Sequence, residues 1–441
     1  MSNKKRSRGG NHVRYSPADG KKNFFRRVES ICTAVAGQGA FGLIPPRALT
    51  VMYRTRILPI KVLPAAGEVV PVEVLKEMRK FLADFLGRRQ IPLFKGGPKL
   101  PFAEFVSAEE ALRLYLRELD ENPSDETTVF RKAMERLAEF SEGSDAASKN
   151  IEGAISLMEL NHNDLGSRLY WLEHDMRLRP HEPWGIENNI LVHSSVPERK
   201  QVTLDGIPRP ATRVSTAGGT YEGVIRASIA PDRLGIACGR EAGPMGIYIQ
   251  EHALRRLAER IDCVTTGTRD LSLCCSFVNP RYHRQADGTL LIDFMFFESK
   301  AGYLVAEATG GDLVIRTFLF LTNGGTPEGN RLRNLCEMGR ADIDVLSIDR
   351  LSTFMATDFR ADRRLESMFV EAGCGSLLEL REKSGAFNTR RDMESALPML
   401  VKYFGLDSKG DFMMPDTVER FRRKFDEARE PGPFSKVIRG S

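Results

Sequence analysis

The chain has 441 residues, 41% hydrophobic and 28% charged, with a formal net charge of +5. That length exceeds one ordinary core, so about two to four domains are expected. No apolar run approaches the ~20 residues of a membrane span: the longest, LLIDFMFF (290–297), is strand-length and interrupted by Asp293. No membrane partner is expected, and MSNKKRSRGG has no apolar run behind its basic residues, so no secretory signal is expected either. Seven cysteines at spacings without a framework predict reduced thiols in a cytoplasmic compartment.

The charge is unevenly placed. Residues 1–27 hold nine cations (Lys4, Lys5, Arg6, Arg8, Arg14, Lys21, Lys22, Arg26 and Arg27) against Asp19 alone, a net +8, leaving −3 for the rest. Residues 1–22 read as a disordered basic tail, and these nine cations are the candidate nucleic-acid contacts. A polyanion would be bound there through counterion release, RNA before DNA. The alternative is a solvated, solubilising tail.

Residues 23–178 read as mostly helical. VEVLKEMRKFLADFLGRR (72–89) has helical apolar spacing, and SAEEALRLYLREL (107–119) opens on a capping box from Ser107 to Glu110. DETTVFRKAMERLAEF (125–140) is a further helix; PLFKGGPKLPF (92–102) is a breaker, and SEGSDAASKN (141–150) reads as a linker or loop.

The pattern changes near RPHEPWG (179–185). Short β-type runs with Gly and Pro turns follow to about residue 249. A helix comes next, then four expected strands: LCCSFV (273–278), TLLIDFMFFE (289–298), YLVAEAT (303–309) and LVIRTFLFLTN (313–323). Ala286-Asp287-Gly288 and Gly310-Gly311-Asp312 are hairpin-like turns. Thr326 and Pro327 predict the N-cap and first position of another helix. Residues 341–441 return to helical patterning, with a charged amphipathic stretch at 417–430. The expected fold is α+β, helical N- and C-terminal regions flanking a central domain (186–340) built from a helix and a four-stranded antiparallel sheet.

IYIQEHALRRLAERID (247–262) carries the most chemistry. At ~100° per residue, Ala253, Leu254, Leu257, Ala258 and Ile261 share one side. His252, Arg255, Arg256, Glu259 and Arg260 share the other. The bland reading is a solvated face with Glu259 paired to an arginine. The functional reading is metal-free RNA cleavage, which needs a group to move the 2′-hydroxyl proton and cations to stabilise the phosphorane. Histidine titrates near neutrality and the arginine fork fits phosphate.

The pattern His252-Ala253, Arg256, Glu259-Arg260, followed by an antiparallel sheet, resembles the RelE-like toxins and the wider barnase–EndoU–colicin–RelE ribonuclease group over residues 247–323. The resemblance implies a ribonuclease-type fold, and a metal-independent chemistry of toxin or phage-defence type that uses scattered His, Arg, Tyr, Glu and Thr side chains. His252 would then be acid or base, Arg255, Arg256 and Arg316 phosphate stabilisers, and Tyr303 and Thr322 accessory. No second histidine falls on the expected sheet. Strand alternation puts Arg316, Phe318, Phe320 and Thr322 on one face. The bland alternative pairs Arg316 with Asp293 or Glu307 as a structural bridge.

Other constellations carry less. Cys263, Cys274, Cys275 and His283 lack paired zinc spacing. Adjacent Cys274 and Cys275 would point to opposite faces of a strand. Gly239, Gly243 and Gly246 form a glycine-rich turn without the P-loop pattern. LTNGGTPEGN (321–330) joins a strand to a helix start that can hold an anion or simply be capped. His162 and His174 sit near Asp164, Glu173 and Asp175 at no known ligand spacing, while Trp171, Trp184 and His181 read as packing. No metal and no cofactor is expected. The leading expectation is an RNA-interacting protein with a ribonuclease-type centre, its helical flanks regulating it or binding a protein partner. The alternative is a non-catalytic scaffold that holds nucleic acid by its basic tail. The two are separated by whether His252, Arg256 and Arg316 converge.

Overall fold

The computed structural model describes residues 17–121, 125–179, 181, 184–218, 223–236, 243–336, 348–356, 359 and 363–384. In chain order the elements are helices α1 (Pro17–Ala36) and α2 (Pro46–Thr55), strand β1 (Lys61–Pro64), helix α3 (Val72–Gly87), and strands β2 (Gln90–Pro92) and β3 (Lys99–Pro101). Helices α4 (Glu110–Glu121), α5 (Asp125–Ala133) and α6 (Glu142–His162) follow. Then come β4 (Leu169–Arg179), β5 (Gly185–Ser195), β6 (Arg199–Leu204), β7 (Ile207–Arg213), β8 (Ser215–Ala217), β9 (Val224–Arg226), β10 (Ser228–Ile229) and β11 (Met245–Gln250). Helices α7 (Glu251–Arg260) and α8 (Thr266–Cys275) lead into β12 (Tyr282–Arg284), β13 (Leu290–Phe296), β14 (Ser299–Thr309) and β15 (Asp312–Phe320). Helices α9 (Pro327–Cys336), α10 (Leu351–Ala356), α11 (Arg363–Glu371) and α12 (Gly375–Ser384) complete the described chain. The fold is α+β, with helical regions on either side of a sheet-rich centre.

The chain forms two compact units, one from Met1–Lys61, Asp84–Ser148 and Asp175–Asn189, the other from Val62–Ala83, Lys149–His174 and Ile190–Ser441. They interleave along the sequence and so differ from the serial segments 23–178, 186–340 and 341–441 read above.

In the first unit, α1, α2, α4 and α5 bury Phe24, Val28, Ile31, Met52, Leu112, Leu116 and Phe130 in one core. Helix α1 begins at Pro17, so Lys21 and Lys22 are helical rather than part of a disordered 1–22 tail. The capping box at Ser107 is not formed. A π-helical turn (Phe105–Glu109) runs into α4 without a break, because Phe102 and Phe105 are buried and the helix starts upstream of Ser107. The 141–150 stretch is likewise no loop. It is the first half of α6, where Gly143 lets the ring of Phe105 approach to 2.8 Å of the position a Cβ would occupy.

The second unit is organised by a sheet of order β12-β13-β14-β15-β11-β7-β6, with β10 also on β11. Strand β11 is buried along its whole length and pairs parallel with β15; β12 to β15 are antiparallel. The expected strand at 273–278 is instead the end of helix α8. Asp270, Leu273, Cys274 and Phe277 recur at helical spacing and are all buried. Cys274 and Cys275 therefore lie on a helix, and the first of the antiparallel strands is β12, which carries His283, so the sheet does hold a histidine, against the expectation.

One core face gathers Ala253, Leu257 and Ile261 of the α7 region with Ile249, Leu313, Ile315, Phe318 and Phe320. The other face holds Val202, Leu204, Ala211, Tyr248 and Val314.

Burial shapes the chemistry of α6. Glu159 accepts the Leu172 amide at 2.8 Å, and burial pushes its carboxyl from 4.5 up to about 8, against that hydrogen bond. The folded state therefore keeps a proton that an unfolded chain releases near 4.5. This contribution to stability is full below that pH and is lost as pH rises towards about 8. Glu109 behaves alike in the first unit. Glu159→Gln is expected to flatten part of that fall, as thermal unfolding at pH 5 and pH 8 would show; an identical fall in wild type and variant would overturn the assignment.

Candidate nucleic-acid interface and the dispersed catalytic set

The six catalytic candidates do not converge. Helix α7 is amphipathic as expected, and its polar face is solvated. Exposed Arg255 donates to His252 Nδ1 at 3.2 Å, and Arg256 pairs with Glu259 at 2.8 Å. Such exposed pairs contribute a few tenths of a kcal/mol. Arg260 pairs with buried Asp349.

Arg316 lies on the opposite side of the sheet. A bulge between Val305 and Ala306 pairs them with Thr317 and Ile315, leaving Arg316 as the extra residue. The alternation shifts by one, so Ile315 and Phe318 share the α7 core while Arg316 turns to the Val314 side. There it binds Glu307 at 2.9 Å and Asp205, in the β6–β7 turn, at 2.5 Å. The expected common face of Arg316, Phe318, Phe320 and Thr322 is thus corrected by one bulge.

Tyr303 and Thr322 are sealed from solvent. Tyr303 is 1% exposed; its hydroxyl lies 2.6 Å from Lys300 Nζ and 3.0 Å from Glu328 Oε2. Lys300 also lies 3.1 Å from Asp293, one of the two partners expected for Arg316; the other, Glu307, is the one Arg316 binds. Burial works to lower the Lys300 ammonium, but Tyr303, Asp293 and Glu328 together hold it above its ordinary value. Thr322 donates to the Ile348 carbonyl at 2.7 Å.

The other constellations are satisfied internally. Among the described residues no group of three or more His, Cys, Asp and Glu is arranged to hold a metal ion. Burial raises the thiols of Cys263, Cys274 and Cys275, the last to about 12. The α9 start is capped as predicted, the Thr326 hydroxyl accepting the Gly329 amide at 2.8 Å. Trp171 stacks on His193 at 5.1 Å, and His193 reaches Glu173 at 3.2 Å. The glycine-rich turn at 239–246 falls partly outside the described residues, and the 417–430 stretch lies wholly outside them.

The basic N-terminal region presents a different surface. Lys4, Lys5, Arg6, Arg8 and Arg14 lie outside the described residues. Helix α1 buries Phe24, Val28, Ile31 and Cys32 and leaves Lys22, Arg26 and Arg27 exposed. Lys22 and Arg26 are one turn apart on the same stripe. Arg27 is 3.9 Å from Glu104, and Lys21 lies over the Phe25 ring at 5.5 Å.

Helix α2 continues the surface. Tyr53 packs edge-on against Phe24 at 5.6 Å, and Arg56 lies over the Tyr53 ring at 3.8 Å. Arg54 covers the half-buried Trp184 at 5.0 Å. Arg56 Nη1 donates to the Trp184 carbonyl at 2.9 Å, and Ile186 and residues 56–58 exchange backbone bonds at 2.8 Å. Gly185, at φ +147°, permits this approach, since a Cβ there would meet Leu58 at 2.8 Å and the Arg56 carbonyl at 3.0 Å. Burial lowers the Arg56 guanidinium, against a smaller opposing effect from Tyr53.

Residues 1–61 hold thirteen Lys and Arg against Asp19 and Glu29, a net +11, which leaves −6 for residues 62–441. Arg47, Tyr53, Arg54, Arg56 and Trp184 were not among the sequence candidates. The readable signal was the unbalanced RALTVMYRTR run (47–56), four residues of which interleave arginine with tyrosine. Among the described residues no helix is long and apolar enough to cross a membrane. Comparison with protein-family models, curated proteins and solved structures finds no match for this chain.

Proposed function

We propose that the protein binds nucleic acid through its basic N-terminal region. The observation that carries this reading is charge segregation: a net +11 in the first 61 residues, with Lys22, Arg26, Arg47 and Arg54 exposed on α1 and α2. A surface of this kind binds phosphate by counterion release. RNA is the polymer suggested by the resemblance of residues 247–323. Ribonuclease chemistry at His252 is not part of the reading, because the sheet separates α7 from Arg316, and Tyr303 and Thr322 are enclosed.

The test is fluorescence anisotropy of labelled RNA and DNA across a salt series. Binding is expected to weaken linearly in log–log form. Lys22→Glu with Arg26→Glu is expected to lower affinity roughly tenfold and to flatten the slope by about 1–2. Salt-independent binding, or an unchanged slope in that variant, would count against the reading.

A further inference from the structure

The α1–α2 surface is more than a set of charges, because its cations alternate with aromatic rings. Lys21 lies on Phe25, Arg56 on Tyr53 and Arg54 on Trp184, at 5.5, 3.8 and 5.0 Å. The three pairs are joined into one patch: Tyr53 touches Phe24 and Phe25 at 5.6 and 6.4 Å, and Arg56 binds the Trp184 backbone. Lys22 and Arg26, exposed on the same helix α1, extend the cationic surface.

Building on the nucleic-acid reading above, we infer that this patch takes a single strand rather than a duplex, with an unstacked base against Trp184 and phosphates on Lys22, Arg26 and Arg54. Bases in a duplex are stacked on each other and present no face to a ring. A single strand offers every base for stacking, independently of its identity. A surface meant only for duplex phosphates needs cations and gains nothing from a tryptophan held at its edge. Here the Trp184 segment is fixed to the end of α2 by three backbone-directed bonds at 2.8–2.9 Å, so the backbone that carries the ring is held in place before any ligand arrives. The guanidinium of Arg54, on an exposed side chain, is displaceable from the ring and remains within reach of a neighbouring phosphate.

The experiment uses the full chain carrying Trp171→Phe, so that Trp184 is the only indole. An unstructured 12-nucleotide strand and a duplex of the same sequence are titrated at each point of a salt series, each as RNA and DNA, while Trp184 emission and anisotropy of the labelled strand are recorded. The single strand is expected to quench Trp184 and to bind at least tenfold tighter than the duplex. Trp184→Ala is expected to weaken single-strand binding on the order of tenfold without changing the salt slope. Trp184→Leu, which keeps apolar bulk at this half-buried position, gives the same comparison should the alanine variant fail a circular-dichroism check. Duplex binding equal to or tighter than the strand, or strand binding without a Trp184 response, overturns this inference and leaves the nucleic-acid reading standing. No binding of any polymer overturns both.

Discussion

Lys300→Met is expected to destabilise the second unit by roughly 2–4 kcal/mol, read as a lowered urea midpoint. Lys300 stands between two buried carboxylates, Asp293 at 5% and Glu328 at 8% exposure, and also meets the Tyr303 hydroxyl. Removing one member of a buried ion cluster leaves the others unpaired, at a cost of about 3–5 kcal/mol. The lower range allows for the 19% exposure that Lys300 retains. Adding Glu328→Gln to the variant is expected to restore part of the loss, since one stranded charge is then gone. A midpoint shift worth less than about 0.5 kcal/mol, the level of ordinary surface changes, would show that the cluster is hydrated in solution.

Gly267→Ala is the second large effect. Gly267 lies in the first turn of α8, where a Cβ would sit 2.3 Å from the Leu160 carbonyl oxygen. Leu160 belongs to α6, and the same carbonyl accepts the Thr265 hydroxyl at 2.8 Å. Neither backbone can yield easily, because Thr266 also donates to the Asn163 carbonyl and Asp270 accepts the Leu165 amide at 2.7 Å. Overpacking of this kind costs about 1–3 kcal/mol, and a backbone clash sets the upper end. Gly288→Ala is the control. Its φ is +87° but nothing lies within 4 Å, so only the conformational strain of about 1 kcal/mol is expected. Equal losses in the two variants, measured by thermal unfolding, would mean that the α6–α8 contact opens without cost.

Legibility in the sequence followed local periodicity and failed where a single residue or a distant partner decided the outcome. Helix α7 was readable because Ala253, Leu257 and Ile261 repeat at helical spacing. The α9 start was readable because Thr326 and Pro327 carry their roles in their own chemistry. LCCSFV was misread as a strand because an apolar six-residue window hides its period. Widening it upstream to the buried Asp270 reveals a helix. Ser107 was misread as a cap because the π-turn before it is stabilised by buried Phe102 and Phe105, which a capping rule does not see.

The candidate site was less legible still. Counting by twos along β15 is sound until the bulge, and nothing in LVIRTFLFLTN marks where an extra residue enters. Arg316 therefore changed sides; its bridge to Glu307, 9 residues away, was among the readings, but Asp205, 111 residues away, was not. The charge of the N-terminal tail was visible, but its continuation through Arg47, Arg54 and Arg56 to Trp184 required α2 and the start of β5 to be brought together.

The interleaving of the two units has a consequence for how the chain is made. The first unit is not complete until Asn189 has been synthesised, and Val62–Ala83 waits for partners that begin at Lys149 and extend past Ile190. That waiting segment includes Leu75, Met78 and Leu82, all buried in the finished protein. At ribosomal rates of about 5–20 residues per second, the interval from residue 83 to residue 190 lasts roughly 5–20 s. Until that interval closes, the apolar stripe of α3 lacks part of the unit that buries it. Exposed apolar surface of this kind is what chaperones bind, and truncations that end before residue 149 are expected to leave the stripe without its partners.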